Sequence, residues 1–359
     1  MIDPIFASCT LIAVFVVLLA MGAPIGICIV IASFSTMMLV LPFDISMFAT
    51  AQKMFSSLDS FALLAVPFFV LSGVIMNSGG IAARLINFAK LFTGKLPGSL
   101  SYTNIVGNMM FGAISGSAIA ASTSIGGVMV PMSAREGYDR GFAAAVNIAS
   151  APTGMLIPPT TAFILYALAS GGTSIAVVYT LLLTMVFYRT LKIKDLPSIL
   201  LQTVVMTGVI MFLLATSSAM SFSMSITNIP AALSDMILGI SANKLVILLV
   251  ITVFLLIIGA FMDIGPAILI FTPILLPIMA KLGVDPVHFG IIMIYNLAIG
   301  TITPPVGSGL YVGASVGKVK VEEVIKPLLP FYGAIIGVLL LITYIPEIIL
   351  FLPRLLGIM

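Results

Sequence analysis

Ser150-Ala-Pro-Thr-Gly-Met-Leu-Ile-Pro-Pro159 and Gly300-Thr-Ile-Thr-Pro-Pro305 each put a Pro-Pro pair inside an apolar, helix-patterned stretch. Aligning Pro131 to Gly171 with Pro277 to Gly317, an offset of 146, shows the two stretches to be copies. Pro131, Ala134, Gly137, Asp139, Ile148, Gly154, Pro158, Pro159 and Gly171 meet Pro277, Ala280, Gly283, Asp285, Ile294, Gly300, Pro304, Pro305 and Gly317, nine identities in 41 positions. Most of the matched residues shape backbone rather than supply reactive side chains. In a membrane chain, helix interruptions at matching places in two halves point to a transporter binding site.

That this is a membrane chain follows from composition. Hydrophobic residues make up 61% and charged residues 8%, with a mean hydropathy of +1.28, which takes the chain out of the soluble class. Apolar runs of spanning length are Ile5 to Ala20, Ile25 to Leu41, Leu58 to Met76, Ile175 to Tyr188, Ile199 to Met224 and Leu328 to Leu350. The N-terminus has neither a basic leader nor a small-residue cleavage site, so the first run reads as a retained span. Cys9 and Cys28, both in apolar helix, suggest neither a disulfide nor a metal site. His288 is the sole histidine, and no paired acids, metal-spaced cluster or Ser-Lys arrangement lies at membrane depth, so an enzyme is not expected. The net charge of +3 is spread over short loops and gives no nucleic-acid signal.

Charge sets the expected topology. Placing the N-terminus outside puts 11 of the 15 Lys and Arg on the cytoplasmic side. In that arrangement Leu100 to Met132, broken at Gly112 to Ser117, is a re-entrant hairpin on the cytoplasmic side. Leu245 to Ala280, broken at Gly259 to Pro266, is a hairpin from the outside. Eight spans and two hairpins result, with both termini outside. Three crossings separate the hairpins, an odd number, so the second copy of hairpin plus broken helix is upside down relative to the first.

The segment from Asp139 to Ser170 has 32 residues, about 48 Å as a straight helix against roughly 30 Å of hydrocarbon. Three prolines and a glycine predict unwinding between Ser150 and Ile157, which frees carbonyls at membrane depth. Thr301, Thr303 and Gly300 repeat the pattern in the second copy. Neutral carbonyl and hydroxyl oxygens suit a weakly held Na+ better than a divalent ion. At the first hairpin tip Ser115, Gly116 and Ser117 offer hydroxyls and amides where two half-helices meet, a natural place for a carboxylate. The competing reading there is close helix packing through Gly112 and Gly116. Asp263 at the second tip is either a deep functional acid or a helix cap. Asn147 and Asn296, one turn before each break, either bond substrate or tie helices together.

These residues carry a resemblance. Ser72-Gly-Val-Ile-Met-Asn-Ser-Gly-Gly-Ile81, Phe111-Gly-Ala-Ile-Ser-Gly-Ser-Ala118, Val130-Pro-Met-Ser-Ala-Arg-Glu-Gly-Tyr138, Ile157-Pro-Pro159 and Gly300-Thr-Ile-Thr-Pro-Pro305 resemble the large membrane (M, DctM-like) subunit of tripartite ATP-independent periplasmic (TRAP) transporters. The resemblance implies an all-α polytopic protein of the ion transporter superfamily: an inverted-repeat elevator with two re-entrant hairpins and two discontinuous helices. It implies scaffold helices over 1–97 and 175–243, transport-domain halves over 98–174 and 244–318, and a C-terminal scaffold span over 319–359. It implies Na+-coupled uptake of an organic acid, such as sialic acid or a C4-dicarboxylate, across a bacterial inner membrane. The acid would be delivered by a periplasmic binding protein, and a small Q subunit would bind the scaffold. Carried onto this chain, one Na+ site joins Ser115 or Ser117 to Thr153 and Gly154. The other joins Asp263 to Gly265 with Gly300, Thr301 and Thr303, and substrate lies between the tips. One departure stands out: the family has two more spans between the equivalents of Ser174 and Ile175, which are adjacent here. Two is an even number, so the deduced orientation survives. A stand-alone Na+/carboxylate symporter and a channel are the alternatives, the second disfavoured by broken inverted repeats.

Overall fold

Matched residues of the two copies build matched backbone. Gly137 and Gly283 both adopt positive φ, 87° and 63°, the left-handed turn that glycine tolerates without steric cost. Two residues on, Asp139 and Asp285 each cap a helix, accepting from Phe142 N at 2.8 Å and from Val287 N at 2.8 Å. The duplication is thus a duplicated turn and cap, each setting the start of a broken helix.

The computed structural model describes residues 3–59, 81–157, 160–170, 196–229, 232, 239, 243–262, 264–304 and 307–355. All secondary structure among the described residues is helical. In chain order the helices are α1 (Pro4–Ala20), α2 (Ile25–Met37), α3 (Phe43–Leu58), α4 (Ile81–Thr93), α5 (Ser99–Ser115) and α6 (Ala118–Arg135). Next come α7 (Arg140–Ser150), the single turn α8 (Thr153–Leu156), α9 (Thr161–Ala169) and α10 (Leu196–Ile226). The rest are α11 (Lys244–Phe261), α12 (Ile264–Lys281), α13 (Pro286–Gly300), α14 (Ser308–Gly317), α15 (Val321–Tyr344) and α16 (Glu347–Leu355). α11, α12, α15 and the Thr203–Ile226 part of α10 are long and apolar enough to cross a membrane. α1, α2 and α13 are shorter apolar helices. The expected spans Leu58 to Met76 and Ile175 to Tyr188 lie almost wholly outside the described residues, as does the Ser174–Ile175 junction.

Antiparallel helix pairs form at both expected hairpin links. A side chain on Gly107 would meet Ile125 at 3.3 Å, and these residues stand at nearly equal distances from the Gly116–Ser117 link, so α6 folds back along α5. The rings of Phe254 and Phe271 lie 5.3 Å apart, each eight or nine residues from the α11–α12 link, so the second pair folds back likewise. Gly116, at φ 63°, ends α5, and Ser117 caps α6. The two copies then pack crosswise: α6 lies on α14, and α12 on α9. Arg140 Nε donates to Gly317 O at 2.9 Å, while Gly313 is pressed against Ile148. α7 and α14 therefore run antiparallel. Tyr166 makes the reciprocal contact from α9, its hydroxyl donating to Pro286 O at 2.6 Å and its ring covering Gly290.

Two local expectations change, and one helix is added. Unwinding does not fill Ser150 to Ile157, because Ala151 and Pro152 keep helical dihedrals and lead into α8. Proline is tolerated there since it sits just before the first residue of a new turn, where an amide donor would be idle anyway. The break begins at Ile157, held extended at φ −95°, ψ 110° by the proline that follows. Next, residues 43–58, which carry no spanning signal, form α3, packed on α10 and α2; Lys53 lies 4.7 Å above the Phe222 ring. Last, the C-terminal span stops at Tyr344 rather than running on to Leu350, because Pro346 removes a donor and restricts Ile345.

Around the two copies, α1, α2, α3 and α10 pack as one group, α4 lies on α5 and α6, and α15 lies on α7 and α13. Large apolar side chains such as Phe48, Phe55, Leu201 and Val204 point outward from the first group, as a lipid-facing surface requires.

Candidate functional site

Each hairpin meets the break of its own copy through glycine. A Cβ on Gly112, near the end of α5, would lie 2.0 Å from Gly154 Cα, and one on Gly154 would lie 2.5 Å from Gly112 Cα. In the second copy a Cβ on Gly300 would lie 2.2 Å from the carbonyl carbon of Gly259, near the end of α11. Both contacts are backbone on backbone and exclude any side chain. Close packing through Gly112, part of the competing reading of the first tip, is observed, and its partner is Gly154. Gly154 and Gly300, expected as ion-site residues, are residues of helix contact.

These contacts bring the predicted oxygens to the breaks. Ser115, buried, lies between Gly112 and the tip, and its hydroxyl oxygen is 3.4 Å from Ser117 N. Ser117 Oγ accepts from Ala120 N at 3.3 Å as the cap of α6. Across the contact, Thr153 Oγ1 donates to Ser150 O at 2.6 Å. In the second copy Thr301 Oγ1 donates to Ala298 O at 2.7 Å and Thr303 Oγ1 to Ile299 O at 2.8 Å. A threonine that spends its proton on a carbonyl keeps its oxygen lone pairs for a cation.

Several carbonyls at the breaks find donors inside the protein. Met155 O accepts from Thr160 Oγ1 at 3.0 Å, and Thr160 Oγ1 also receives Phe163 N at 3.3 Å, so one hydroxyl bridges the first break. Thr301 O accepts from Gly309 N at 2.8 Å, and the Tyr332 hydroxyl of α15 donates to Ile302 O. Gly307 N donates to Ala260 O at 3.2 Å, fastening the second break to its hairpin. These carbonyls are therefore not left free at the breaks. The reason is that buried polar backbone is costly and nearby hydroxyls and amides satisfy it.

The two tips converge on the first break. Ala118 of the first tip forms a buried cluster with Ala151 and Met155, and Ile264 of the second tip packs against it. A Cβ on Gly265 would lie 3.5 Å from Leu165 of α9. Asp263, Pro158, Pro159 and Pro305 lie outside the described residues. Asn296 is fully buried and donates to Ile292 O at 2.7 Å, while its Oδ1 has no hydrogen-bond partner. Asn147 is also fully buried; its Nδ2 donates at 3.0 Å to both Ser122 O and Ser122 Oγ, and its Oδ1 accepts from Asn108 Nδ2 at 3.0 Å. Asn147 thus ties helices together. Asn108, Ser122 and Tyr332 went unnoticed in the sequence; the Asn104, Asn108 spacing of four, one helical face, was the available signal. No group of metal-ligating His, Cys, Asp or Glu occurs among the described residues.

The family model described as "Tripartite ATP-independent periplasmic transporter, DctM component" matches residues 12–177 and 170–348. The chain is 41% identical to the uncharacterized protein YgiK of Salmonella typhimurium over 95% of this chain and 96% of that one. It is 32% identical to the isethionate TRAP transporter permease protein DctMQ of Oleidesulfovibrio alaskensis, over 94% of this chain and 65% of that one. It is 30% identical to the sialic acid TRAP transporter large permease protein SiaM of Vibrio cholerae, over 94% of this chain and 96% of that one. The first two alignments run over 417 and 415 positions, more than the 359 residues of this chain, so those relatives carry residues with no counterpart here.

Proposed function

The chain belongs to the DctM family of TRAP transporter components, and from that premise we propose that it is the large membrane permease of a Na+-coupled, elevator-type uptake system for an organic acid. As in TRAP systems generally, it works with a small membrane subunit and a periplasmic binding protein that delivers the acid. Relatives named for isethionate, sialic acid and C4-dicarboxylates support the substrate class.

The observation that carries the reading is the repeated approach of a hairpin arm to a helix break, Gly112 on Gly154 and Gly259 on Gly300. A tip held against a mid-helix break lies at the same depth as the break, so both hairpins enter the membrane without crossing it. The antiparallel course of α7 and α14 supports inverted copies. Ser115 and Ser117 with Thr153 form one Na+ site, and Thr301 and Thr303 with the second tip, Asp263 to Gly265, form the other. Substrate sits between the tips, its carboxylate at the amides of Gly116 and Ser117. Na+ supplies the electrochemical drive and the positive charge that neutralises an acid in an apolar setting. The group α1, α2, α3 and α10 is the scaffold, and both termini face the periplasm of a bacterial inner membrane.

The test is uptake into proteoliposomes under a Na+ gradient, with the small subunit and receptors loaded with different acids. Ser115→Ala and Thr301→Ala should each raise the Na+ concentration for half-maximal uptake by roughly ten-fold, the size of one lost ligand. Wild-type half-saturation in both variants would refute the site assignment. Uptake indifferent to Na+ would refute the coupling.

A further inference from the structure

The two copies differ in how the hairpin arm is tied to the broken helix. In the first copy Asn108 Nδ2 lies 2.8 Å from Asn104 Oδ1, 3.0 Å from Asn147 Oδ1, 2.8 Å from Ser150 Oγ and 3.5 Å from Asn147 O. An amide nitrogen has two protons, and here four acceptors surround it. Turning the amide over would set its oxygen against those four oxygens, so the orientation is fixed by the surroundings. Asn108 and Asn147 are wholly buried, and Gly126 must lack a side chain because a Cβ there would meet Asn147 Nδ2 at 2.2 Å. Through Asn147 and Ser122 the amides join α5, α6 and α7, one helical turn below the Gly112–Gly154 contact.

In the second copy three of these places are apolar. By the glycine contacts Leu255 stands where Asn108 does, and by the repeat offset Met293 stands for Asn147, Ile268 for Ser122 and Thr272 for Gly126. The corresponding helix pair is joined by Thr272 Oγ1 to Met293 Sδ at 3.4 Å, a weak bond. Asn296 takes the place of Ser150; its buried Oδ1 has no hydrogen-bond partner, as is also true of Asn108 Oδ1 in the first copy.

Apolar helices pack in several registers of similar energy, because methylene contacts carry no direction. A buried amide network allows one register, since a slide of one turn would strand several polar groups where water cannot reach them. We infer that Asn108 is a positioning residue for cation binding: through Asn147 and Ser150 it fixes the depth of the first hairpin against the first broken helix, and so sets the distance from Ser115 to Thr153. This rests on the proposed Na+ site at the first tip. The second hairpin has no such network among the described residues; its arm is set by apolar packing, by the Gly259–Gly300 approach and by the Gly307–Ala260 bond.

The experiment follows thermal unfolding of the purified full chain in detergent, with Na+ exchanged for choline at constant ionic strength. Asn108→Leu installs the residue of the second copy. It should raise the Na+ concentration for half-maximal stabilisation roughly ten-fold, the equilibrium factor expected for loss of one to two buried hydrogen bonds. Asn108→Ser keeps one donor and should shift it less, and it decides by the same criterion if Asn108→Leu does not fold. Leu255→Met should leave it unchanged. A lower melting temperature in choline with wild-type Na+ half-saturation would mean that Asn108 only stabilises the fold, and would overturn the inference. The site reading fails separately: a wild-type chain indifferent to Na+, or an unaltered Na+ response in Ser115→Ala, removes the site and this inference with it. If Ser115→Ala loses the response while Asn108→Leu keeps wild-type half-saturation, the site stands and the inference falls.

Discussion

Replacing Gly112 with alanine adds one methyl group and touches none of the oxygens assigned to the ion, which makes it a clean test of geometry. That methyl carbon would lie 2.0 Å from Gly154 Cα and 2.9 Å from Gly154 N. Carbon atoms sit comfortably about 3.5–4.0 Å apart, so the end of α5 must retreat by about 1.5 Å. No side chain can turn aside, because both surfaces are backbone. Overpacking of this kind costs about 1–3 kcal/mol, partly offset by about 0.5–1 kcal/mol for removing a glycine from a helix. The retreat carries Ser115 away from Thr153 by a comparable distance, and a misplacement near 1 Å weakens a positioned site by up to about 100-fold. We expect the melting temperature to fall and the half-saturating Na+ concentration, read from thermal shift and from uptake, to rise at least ten-fold. Gly300→Ala, whose Cβ would lie 2.2 Å from Gly259, should behave alike at the second site. Gly259→Ala should be milder, since its nearest contacts are at 3.0 and 3.1 Å. Gly333→Ala, with nothing within 4 Å, is the control and should hold or raise stability. Wild-type Na+ half-saturation in a folded Gly112→Ala protein would refute the idea that this contact sets the site.

Two further outcomes follow from the same geometry. Tyr332→Phe removes the donor to Ile302 O and leaves a loosened carbonyl at the second break without that partner. Thermal unfolding should report a loss of about 1–3 kcal/mol, and an unchanged melting temperature would show that another donor takes over. In a background lacking Cys9 and Cys28, single cysteines at Arg135 and Lys281 probe the open ends of the two hairpins. A membrane-impermeant thiol reagent should label the first only from the cytoplasmic side and the second only from outside; labelling of both from one side would refute the inverted arrangement.

Legibility in the sequence varied with the range of the interaction. Gly137 and Gly283, Asp139 and Asp285, and the two Pro-Pro pairs act on their own or the adjoining turn, and the broken helices begin where these residues say. The hairpin links were legible for a similar reason, since Gly116 and Ser117 combine a left-handed stop with a cap. Helix α3 was missed because a hydropathy window seeks spans, and residues 43–58 are amphipathic rather than uniformly apolar. The width of the first break was overestimated because counting prolines ignores where each falls: Pro152 sits at the start of a turn that accepts it. Pro131, Pro273 and Pro277 likewise lie inside intact helices.

The sequence by itself determined that the chain belongs in a membrane, that part of it is duplicated, and where each copy turns, starts and breaks. Those properties rest on composition and on local backbone preference, which travel with the residue. Only the tertiary structure decided that Gly112 meets Gly154 and Gly259 meets Gly300, that each hairpin packs across onto the other copy, and that Asn147 faces Asn108. Such contacts join residues some 40 to 180 positions apart. They depend on the register and rotation of packed helices, and apolar surfaces leave both open until glycines and buried amides fix them.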